Sequence, residues 1–198
     1  MNIHEIIGWI AVGVYVLGSI PYFRDTFHGA TRPNRVTWFG WGLLTWTSAL
    51  IQSAHGADAS VLVIYTAAIY TTAIFILSLY RGVTTFSLTD GMSLALGLFA
   101  YVFWLVFDDP ATALVMNIAA DFLFAIPTIL KVWKLPKSES QLSWSLGFIS
   151  MGLALASKTN FDFINTAFPF YLFALNALVV ILTIGFIQRL TKRQNAIL

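Results

Sequence analysis

The chain has 198 residues, of which 58% are hydrophobic and 10% are charged, and it carries a formal net charge of +2. Soluble domains have about 25% charged residues, so this composition and a mean hydropathy of +0.78 exclude a soluble globular protein and indicate an integral membrane protein. The complete absence of cysteine also excludes a disulfide framework and a thiolate metal site.

Seven apolar runs approach the roughly 20 residues that an α-helix needs to cross a bilayer. They cover residues 5–23, 36–54, 59–80, 88–107, 110–131, 142–157 and 167–188, and the sixth is the shortest. These runs and their short connections leave no room for a soluble domain. The sequence therefore predicts one all-α membrane domain over residues 1–198, with seven transmembrane helices in a lipid bilayer.

Basic residues are concentrated in alternate connections between the runs. Ten of the eleven lie in the first, third and fifth connections or after the last run, and only Lys158 lies on the other side. Because Lys and Arg in short loops stay in the cytoplasm, we expect an external N-terminus and a cytoplasmic C-terminus in the plasma or inner membrane. The first run follows MNIHE, which lacks the basic flank of a cleaved signal peptide. Topology accounts for the basic residues, so we expect no nucleic-acid partner.

Two stretches of the chain share one pattern, SIPYFRDTFHGATRPNRVTW at 19–38 and AIPTILKVWKLPKSESQLSW at 125–144. In each, a tryptophan follows a proline by 17 positions, and the two stretches stand 106 positions apart. The same shift lays the first three runs on the last three, so residues 5–80 and 110–188 are predicted to be repeats. Run 88–107 has no counterpart, and this extra span lets both repeats keep one orientation. Such a 3+1+3 plan of parallel three-helix bundles is found in transporters.

The stretch GWIAVGVYVLGSIPYFRD, followed by TRPNR and a Trp-bearing second run, resembles the SWEET and SemiSWEET sugar transporters and the wider PQ-loop superfamily. The likeness covers the whole chain in layout. It implies two parallel three-helix bundles joined by a linker helix, with sugar moved between them. This chain has Pro21-Tyr22 and Pro127-Thr128 where the family has Pro-Gln, and runs two and six contain no proline.

Proline and tryptophan recur near the predicted cytoplasmic ends of the runs. Pro21 and Pro127 each remove one helical hydrogen bond, so they form either a paired hinge or simple helix terminators. Tryptophans at a membrane boundary are typical of an interfacial aromatic belt. We therefore interpret four residues as belt residues: Trp38, Trp41, Trp133 and Trp144.

Polar residues stand near the midpoints of the six repeated runs, where a transporter of this plan binds its substrate. Asn117 joins them, because it lies one helical turn before Asp121 on the same face. The predicted substrate-binding residues are Tyr15, Trp46, Tyr70, Asn117, Asp121, Ser150 and Asn176.

Asp121 is the most informative of these residues. A carboxylate in the middle of a bilayer costs several kcal/mol and is usually kept for a transport pathway, a proton relay or an ion pair. No Lys or Arg lies near the middle of a run to neutralise it. We expect it either to contact substrate, with proton coupling as a variant, or to form a neutral hydrogen bond with Asn117 or a neighbouring helix.

The resemblance assigns roles to Trp46 and Asn176. In SWEET-like pockets a tryptophan ring covers one face of the sugar and an asparagine amide binds its hydroxyls. The alternatives are a core or lipid-facing position for Trp46 and a helix–helix hydrogen bond for Asn176.

Enzyme motifs are missing from the sequence. His4, His28 and His55 lie outside the runs and far apart, and neither HExxH nor GxSxG occurs. The last run has no lysine to hold retinal. We predict a transporter without a cofactor that moves a small polar solute by alternating access, with a sugar as the first expectation. The alternatives are a proton-coupled amino-acid, vitamin or nucleoside transporter and a non-transporting receptor of the same fold. The sequence leaves open whether the protein forms a homo-oligomer.

Overall fold

A computed structural model describes residues 2–83, 85–106 and 109–185. These residues form seven α-helices and a short 3-10 turn, with no β-strand, which confirms the all-α prediction and the number of helices. The helices are α1 (Ile3–Phe27), α2 (Arg35–Ala54), α3 (Val61–Arg81), α4 (Leu88–Val106), α5 (Pro110–Lys134), α6 (Gln141–Ala156) and α7 (Phe163–Thr183). The predicted ends of the fourth and seventh runs, at 107 and 186–188, lie outside the described residues.

Polar side chains fix where five of the helices begin. At each of these positions the side chain accepts a hydrogen bond from a backbone N–H in the first turn, which would otherwise lack a partner. The capping residues are Asn2, Asn34, Asp109, Ser140 and Asp162. Asn2 and Glu5 also form a reciprocal capping box.

The two repeated prolines lie inside helices. Helix α1 continues past Pro21 to Phe27, and helix α5 continues past Pro127 to Lys134. The interpretation of these prolines as helix terminators is therefore wrong. Their role as hinges stays a prediction.

In the described part of the chain, four helices are long and apolar enough to cross a membrane, namely α1, α3, α5 and α7. Helix α6 and the apolar part of α4 are shorter. Helix α2 contains several polar residues, including Thr37, Ser48 and Gln52, which lower its mean hydropathy. These side chains are buried against other parts of the protein. These features indicate a membrane protein, whereas seven membrane crossings remain a prediction.

We refer to helices α1–α3 and helices α5–α7 as two groups, following their order in the chain. Helix α3 packs against both α1 and α2, and helix α7 packs against both α5 and α6. The two groups meet where α1 contacts α6 and where α2 contacts α5. Helix α4 packs mainly against α5 and more weakly against α2.

Each of the two contacts between these groups contains one hydrogen bond. The two bonds join corresponding positions of the chain, with the donor and acceptor positions exchanged. Between α1 and α6, the Ser150 hydroxyl donates to the Ala11 carbonyl at 2.7 Å. Between α5 and α2, the Asn117 amide donates to the Leu44 carbonyl at 3.3 Å. Ala11 and Asn117 stand 106 positions apart, and so do Leu44 and Ser150.

Close packing at glycine follows the same correspondence. A Cβ atom on Gly18 of α1 would lie 2.7 Å from the Leu146 Cβ of α6, and one on Gly40 of α2 would overlap the Phe124 ring of α5. The shift of 106 positions relates Gly18 to Phe124 and Gly40 to Leu146. A small residue therefore faces a large one in both contacts, with the sizes exchanged.

The connections α1–α2, α3–α4 and α5–α6 lie at one end of the helix bundle, which we call the basic end. Here Arg35 donates to the Ser78 and Leu79 carbonyls at the end of α3, at 3.0 and 3.1 Å, and Asn34 donates to Asp90 at the start of α4. The connections α2–α3 and α6–α7 lie at the other end, which we call the opposite end.

Candidate functional site

A pocket lies between the two groups of helices. Among the described residues, those that line it come from α1, α2, α3, α5, α6 and α7. On α1 and α2 they extend from mid-helix towards the α1–α2 connection, whereas on α3, α5 and α7 they lie near mid-helix. The pocket therefore extends from the middle of the bundle towards the basic end.

Aromatic rings form the walls of the pocket. The Trp38 ring lies 5.1 Å from Tyr22, 5.3 Å from Trp41 and 5.5 Å from Tyr70, between ring centroids. Trp41 in turn lies 5.8 Å from Trp144. The Tyr22–Trp38 contact is tilted and the other three are edge-to-face. Edge-to-face contacts at these distances are stabilising, so the rings hold one another in place around the pocket.

Asp121 is the one residue through which α5 lines the pocket, as far as the described chain shows, and its side chain is 0% exposed. One carboxylate oxygen accepts a hydrogen bond from the Tyr171 hydroxyl at 2.7 Å. The other oxygen, Oδ1, has no hydrogen-bond partner among the described residues. The Trp41 indole lies close enough to interact with the carboxylate, but its N–H makes no hydrogen bond of good geometry.

Three buried polar atoms of the pocket form no hydrogen bond of good geometry with a described residue, although Trp41 lies beside Asp121 and Tyr22 lies beside Glu139. They are the Tyr22 hydroxyl, the Trp41 Nε1 and the Asp121 Oδ1. An unpartnered buried polar group costs about 1–3 kcal/mol, and each such group calls for an explanation such as a bound ligand or water. Two of the atoms can donate and one can accept, so the pocket offers both kinds of contact to a ligand.

The charge of Asp121 has no counterpart in the pocket. None of the described residues that line the pocket is Lys, Arg or His. Lys131, in the last turn of α5, pairs with Glu139. Glu139 also accepts a hydrogen bond from the Trp144 indole at 3.2 Å. A carboxylate is thus enclosed by aromatic and neutral groups.

Four of the seven predicted substrate-binding residues line the pocket: Tyr15, Tyr70, Asp121 and Asn176. Asn176 donates to the Leu172 carbonyl of its own helix at 2.7 Å. Its side-chain oxygen lies directly over Gly147, where any larger residue would collide with it. The oxygen is therefore held at the α6–α7 contact beside the pocket.

The other three predicted residues, Trp46, Asn117 and Ser150, do not line the pocket. Trp46 is 38% exposed and donates to the Thr72 hydroxyl at 3.1 Å, which fits the lipid-facing alternative. Asn117 and Ser150 form the interhelical bonds described above. The expected bond between Asp121 and Asn117 is not formed, because Asp121 binds Tyr171 and Asn117 reaches Leu44.

The belt interpretation is wrong for Trp38 and Trp41, which are only 4% and 6% exposed. Trp144 also lines the pocket, whereas Trp133 is half exposed. Helical spacing could have identified this face: Tyr15, Ser19 and Tyr22 recur at intervals of three and four on α1, and Trp38, Trp41 and Thr45 do so on α2. Tyr171, the partner of Asp121, was also missed.

The opposite end of the bundle is closed by apolar packing. A cluster of buried side chains fills the space between the helices there, including Val63, Leu114, Ala154 and Phe168. This cluster separates the pocket from the α2–α3 and α6–α7 connections.

Lys158 ties these two connections together. Its side chain is 1% exposed. The Nζ atom donates to the Ser60 hydroxyl at 3.2 Å and to the Asn165 carbonyl at 3.0 Å, and it lies 4.0 Å from the Asp58 carboxylate. Burial lowers the pKa of Lys158, and the charge of Asp58 opposes that change. The ammonium group of Lys158 has three N–H donors, and it has three polar partners.

Asp58 is the acidic member of this network. Burial raises the pKa of its carboxyl, but hydrogen bonds from Ser60 and Thr159 and the charge of Lys158 outweigh that effect and lower the pKa to about 2. The Thr159 backbone N–H donates to it at 2.8 Å. The network joins residues of both helix groups, so it locks the opposite end.

No known protein-family model matches the chain, and no curated protein or solved structure is significantly similar to it. Within the described residues, no group of three His, Asp or Glu side chains is placed to hold a metal ion. The geometry of the pocket is therefore the basis for any functional assignment.

Proposed function

We propose that this protein is a membrane transporter that moves a small polar solute by alternating access. The observation that carries the proposal is a pocket between two groups of helices that contains a buried carboxylate with a free oxygen. Intramembrane acids of this kind mark substrate or proton pathways. Its lining of aromatic and other apolar side chains with a few polar groups is typical of a small-molecule site.

The 3+1+3 arrangement of two parallel repeats is part of this proposal. The equivalent contacts of Ala11 with Ser150 and of Asn117 with Leu44 support it, and so do the exchanged glycine contacts. Helix α4 would be the linker. The likeness of the sequence to SWEET and PQ-loop proteins is consistent with this arrangement.

The pocket and the Lys158 network favour one orientation and one state. Lys and Arg residues keep short loops in the cytoplasm, so the basic end would be cytoplasmic, with the N-terminus outside and the C-terminus inside the cell. The opposite end is sealed by apolar packing and by Lys158. The described conformation thus corresponds to an inward-facing transporter in the plasma or inner membrane.

Each part of the pocket has a role in this mechanism. The rings of Trp38, Trp41 and Trp144 would cover the solute, and Asp121 and Asn176 would bind its polar groups. Pro21 and Pro127, at corresponding positions of α1 and α5, would let the cytoplasmic ends of these helices move. Uniport is the simplest form, and proton coupling through Asp121 is the variant that its buried position favours.

Uptake into proteoliposomes tests the proposal. The panel contains radiolabelled sugars, nucleosides, amino acids and amines, each with and without a pH gradient. We expect saturable uptake of one class, and dependence on the gradient would identify proton coupling. A solute that binds tightly but never enters the vesicle lumen would contradict transport and favour a receptor.

A further inference from the structure

The charge balance of the pocket restricts what can occupy it. Asp121 is fully buried, one of its oxygens forms no hydrogen bond of good geometry although the Trp41 indole lies nearby, and no described lining residue carries a positive charge. Burying a carboxylate is costly unless a positive charge or several hydrogen bonds compensate it. Tyr171 supplies one hydrogen bond. A neutral sugar would leave the negative charge of the ionised Asp121 carboxylate without a positive partner, whereas a cationic ligand would pair with it.

The arrangement of the rings favours a cation as well. Neighbouring rings meet at 78° for Trp38 and Trp41, 86° for Trp38 and Tyr70, and 73° for Trp41 and Trp144. These rings, which all line the pocket, therefore lie in different planes around it instead of stacking in parallel. A cation within about 6 Å of an indole face is attracted to its electron density, and tryptophan is the most effective ring for this contact.

The free hydrogen-bond donors add a second requirement. The Tyr22 hydroxyl lies beside Glu139 and the Trp41 N–H lies beside Asp121, but neither forms a hydrogen bond of good geometry there. Each can therefore donate to an oxygen of the ligand, for example a hydroxyl or carbonyl oxygen. A carboxylate on the ligand would be repelled by Asp121. This argument disfavours acids and zwitterions with the acid close to the amine.

From this geometry we propose that the pocket binds an organic monocation, an amine or a quaternary ammonium compound with a neutral polar group. Asp121 is the counter-ion, and Trp38, Trp41 and Trp144 surround the cationic head. This inference rests on the proposed function, because it names the class of solute that the same pocket carries.

Binding to the purified full-length protein tests the inference without requiring transport. Calorimetry and tryptophan fluorescence compare two cations with neutral isosteres, choline with 3,3-dimethylbutan-1-ol and ethanolamine with 1-propanol, and include glucose. We expect at least one cation to bind about 10-fold more tightly than its isostere, as contacts with charge and rings together require. If no cation exceeds its isostere, or if glucose binds more tightly than both cations, the inference is wrong.

Variants assign the effect to the pocket. Asp121→Asn keeps the shape and an acceptor for Tyr171, and should weaken the cation by about 10-fold or more while leaving the isostere unchanged. Tyr171→Phe removes the hydrogen bond but keeps the charge, and should change cation binding by less than about 3-fold. Equal affinity for the cation in Asp121→Asn and in the unmodified protein would overturn the role of the carboxylate.

A second pair of variants serves if Asp121→Asn fails to fold. Trp41→Phe retains a ring, whereas Trp41→Leu retains only apolar volume. We expect the leucine variant to bind the cation about 5-fold more weakly than the phenylalanine variant, and equal binding by the two would contradict the cation–ring contact.

The binding experiment tests the cation inference and the uptake experiment tests transport, so each proposal can be refuted without the other. Uptake of a sugar together with no preference for cations would refute the cation inference and leave the transporter proposal standing. Strong binding of a cation that no vesicle takes up would refute transport and leave the pocket assignment standing.

Discussion

Lys158 and Asp121 are both buried charged residues, but their surroundings differ completely. Lys158, at the opposite end, is hydrogen-bonded to Ser60 and Asn165 and lies beside Asp58. Asp121, in the pocket, has one hydrogen bond and one free oxygen. A buried charge with every partner in place holds structure together, whereas one left incomplete is available to a ligand or proton. Substitutions at the two positions should therefore affect different properties.

Lys158→Met should produce the largest change, a loss of about 3 kcal/mol in the free energy of unfolding. Removing one member of a buried charged network typically costs 3–5 kcal/mol, and Asp58 keeps its backbone hydrogen bonds here, which places the cost at the low end. Reversible unfolding of the detergent-solubilised protein measures it. The matched control is Lys137→Met, an exposed lysine at the basic end. Similar losses for both variants would remove the distinction between the two ends.

Asp121→Asn should instead change transport strongly and stability little. We expect uptake to fall about 10- to 100-fold, because a hydrogen bond to a charged group contributes about 1.5–3 kcal/mol. Stability should stay within about 1 kcal/mol or increase, since an incompletely paired buried carboxylate is removed. Vesicle uptake and thermal unfolding are measured on the same preparation.

Phe122→Leu provides the control for this variant, because Phe122 is the next residue of α5 and is 47% exposed. It should leave uptake within about 2-fold. If Asp121→Asn instead unfolds the protein and uptake per folded molecule is unchanged, Asp121 belongs with Lys158 as a structural residue.

Acid should weaken the opposite end first. The pKa of the Asp58 carboxyl is lowered from 3.8 to about 2 in the folded protein, so its contribution to stability is complete above about pH 5 and is lost as the pH falls towards 2. We expect thermal stability to decrease between pH 5 and pH 3. Asp58→Asn should be less stable at pH 6 and should lose less on acidification. An identical acid profile for both proteins would show that other groups control the decrease.

The smallest expected effects concern the paired interhelical bonds. Asn117→Ala and Ser150→Ala should each reduce the free energy of unfolding by about 0.6 kcal/mol, the average for such bonds between membrane helices. Similar values at the two positions are expected because their contacts are equivalent. Loss of solute binding without loss of stability in either variant would return that residue to the binding site.

Much of the fold could be predicted from the sequence, because apolar runs and polar caps are local features. The runs identified all seven helices. The contacts of α1 with α6 and of α5 with α2 were not predicted, although the shift of 106 positions relates residues that form them. Asp121 was recognised because a lone carboxylate in an apolar run is rare. None of these inferences required knowledge of which way a side chain points.

The rest of the site depends on the direction in which each side chain points. Whether a side chain faces the pocket, another helix or lipid depends on how the helices pack together. Trp41 and Trp46 are both tryptophans of α2, yet one lines the pocket and the other is partly exposed. Ser150 and Asn117 are polar residues near mid-helix, but each finds a backbone carbonyl on the facing helix. Composition and spacing cannot distinguish a ligand contact from such a bond.

The equivalent bonds of Ser150 and Asn117 have a mechanical consequence for the proposed transport cycle. They link the two halves of the protein near the middle of their helices, one bond in each of the two contacts between the halves. A line through the two bonds defines a rotation axis. If the halves pivot about it, widening one end must narrow the other, so a continuous channel never forms.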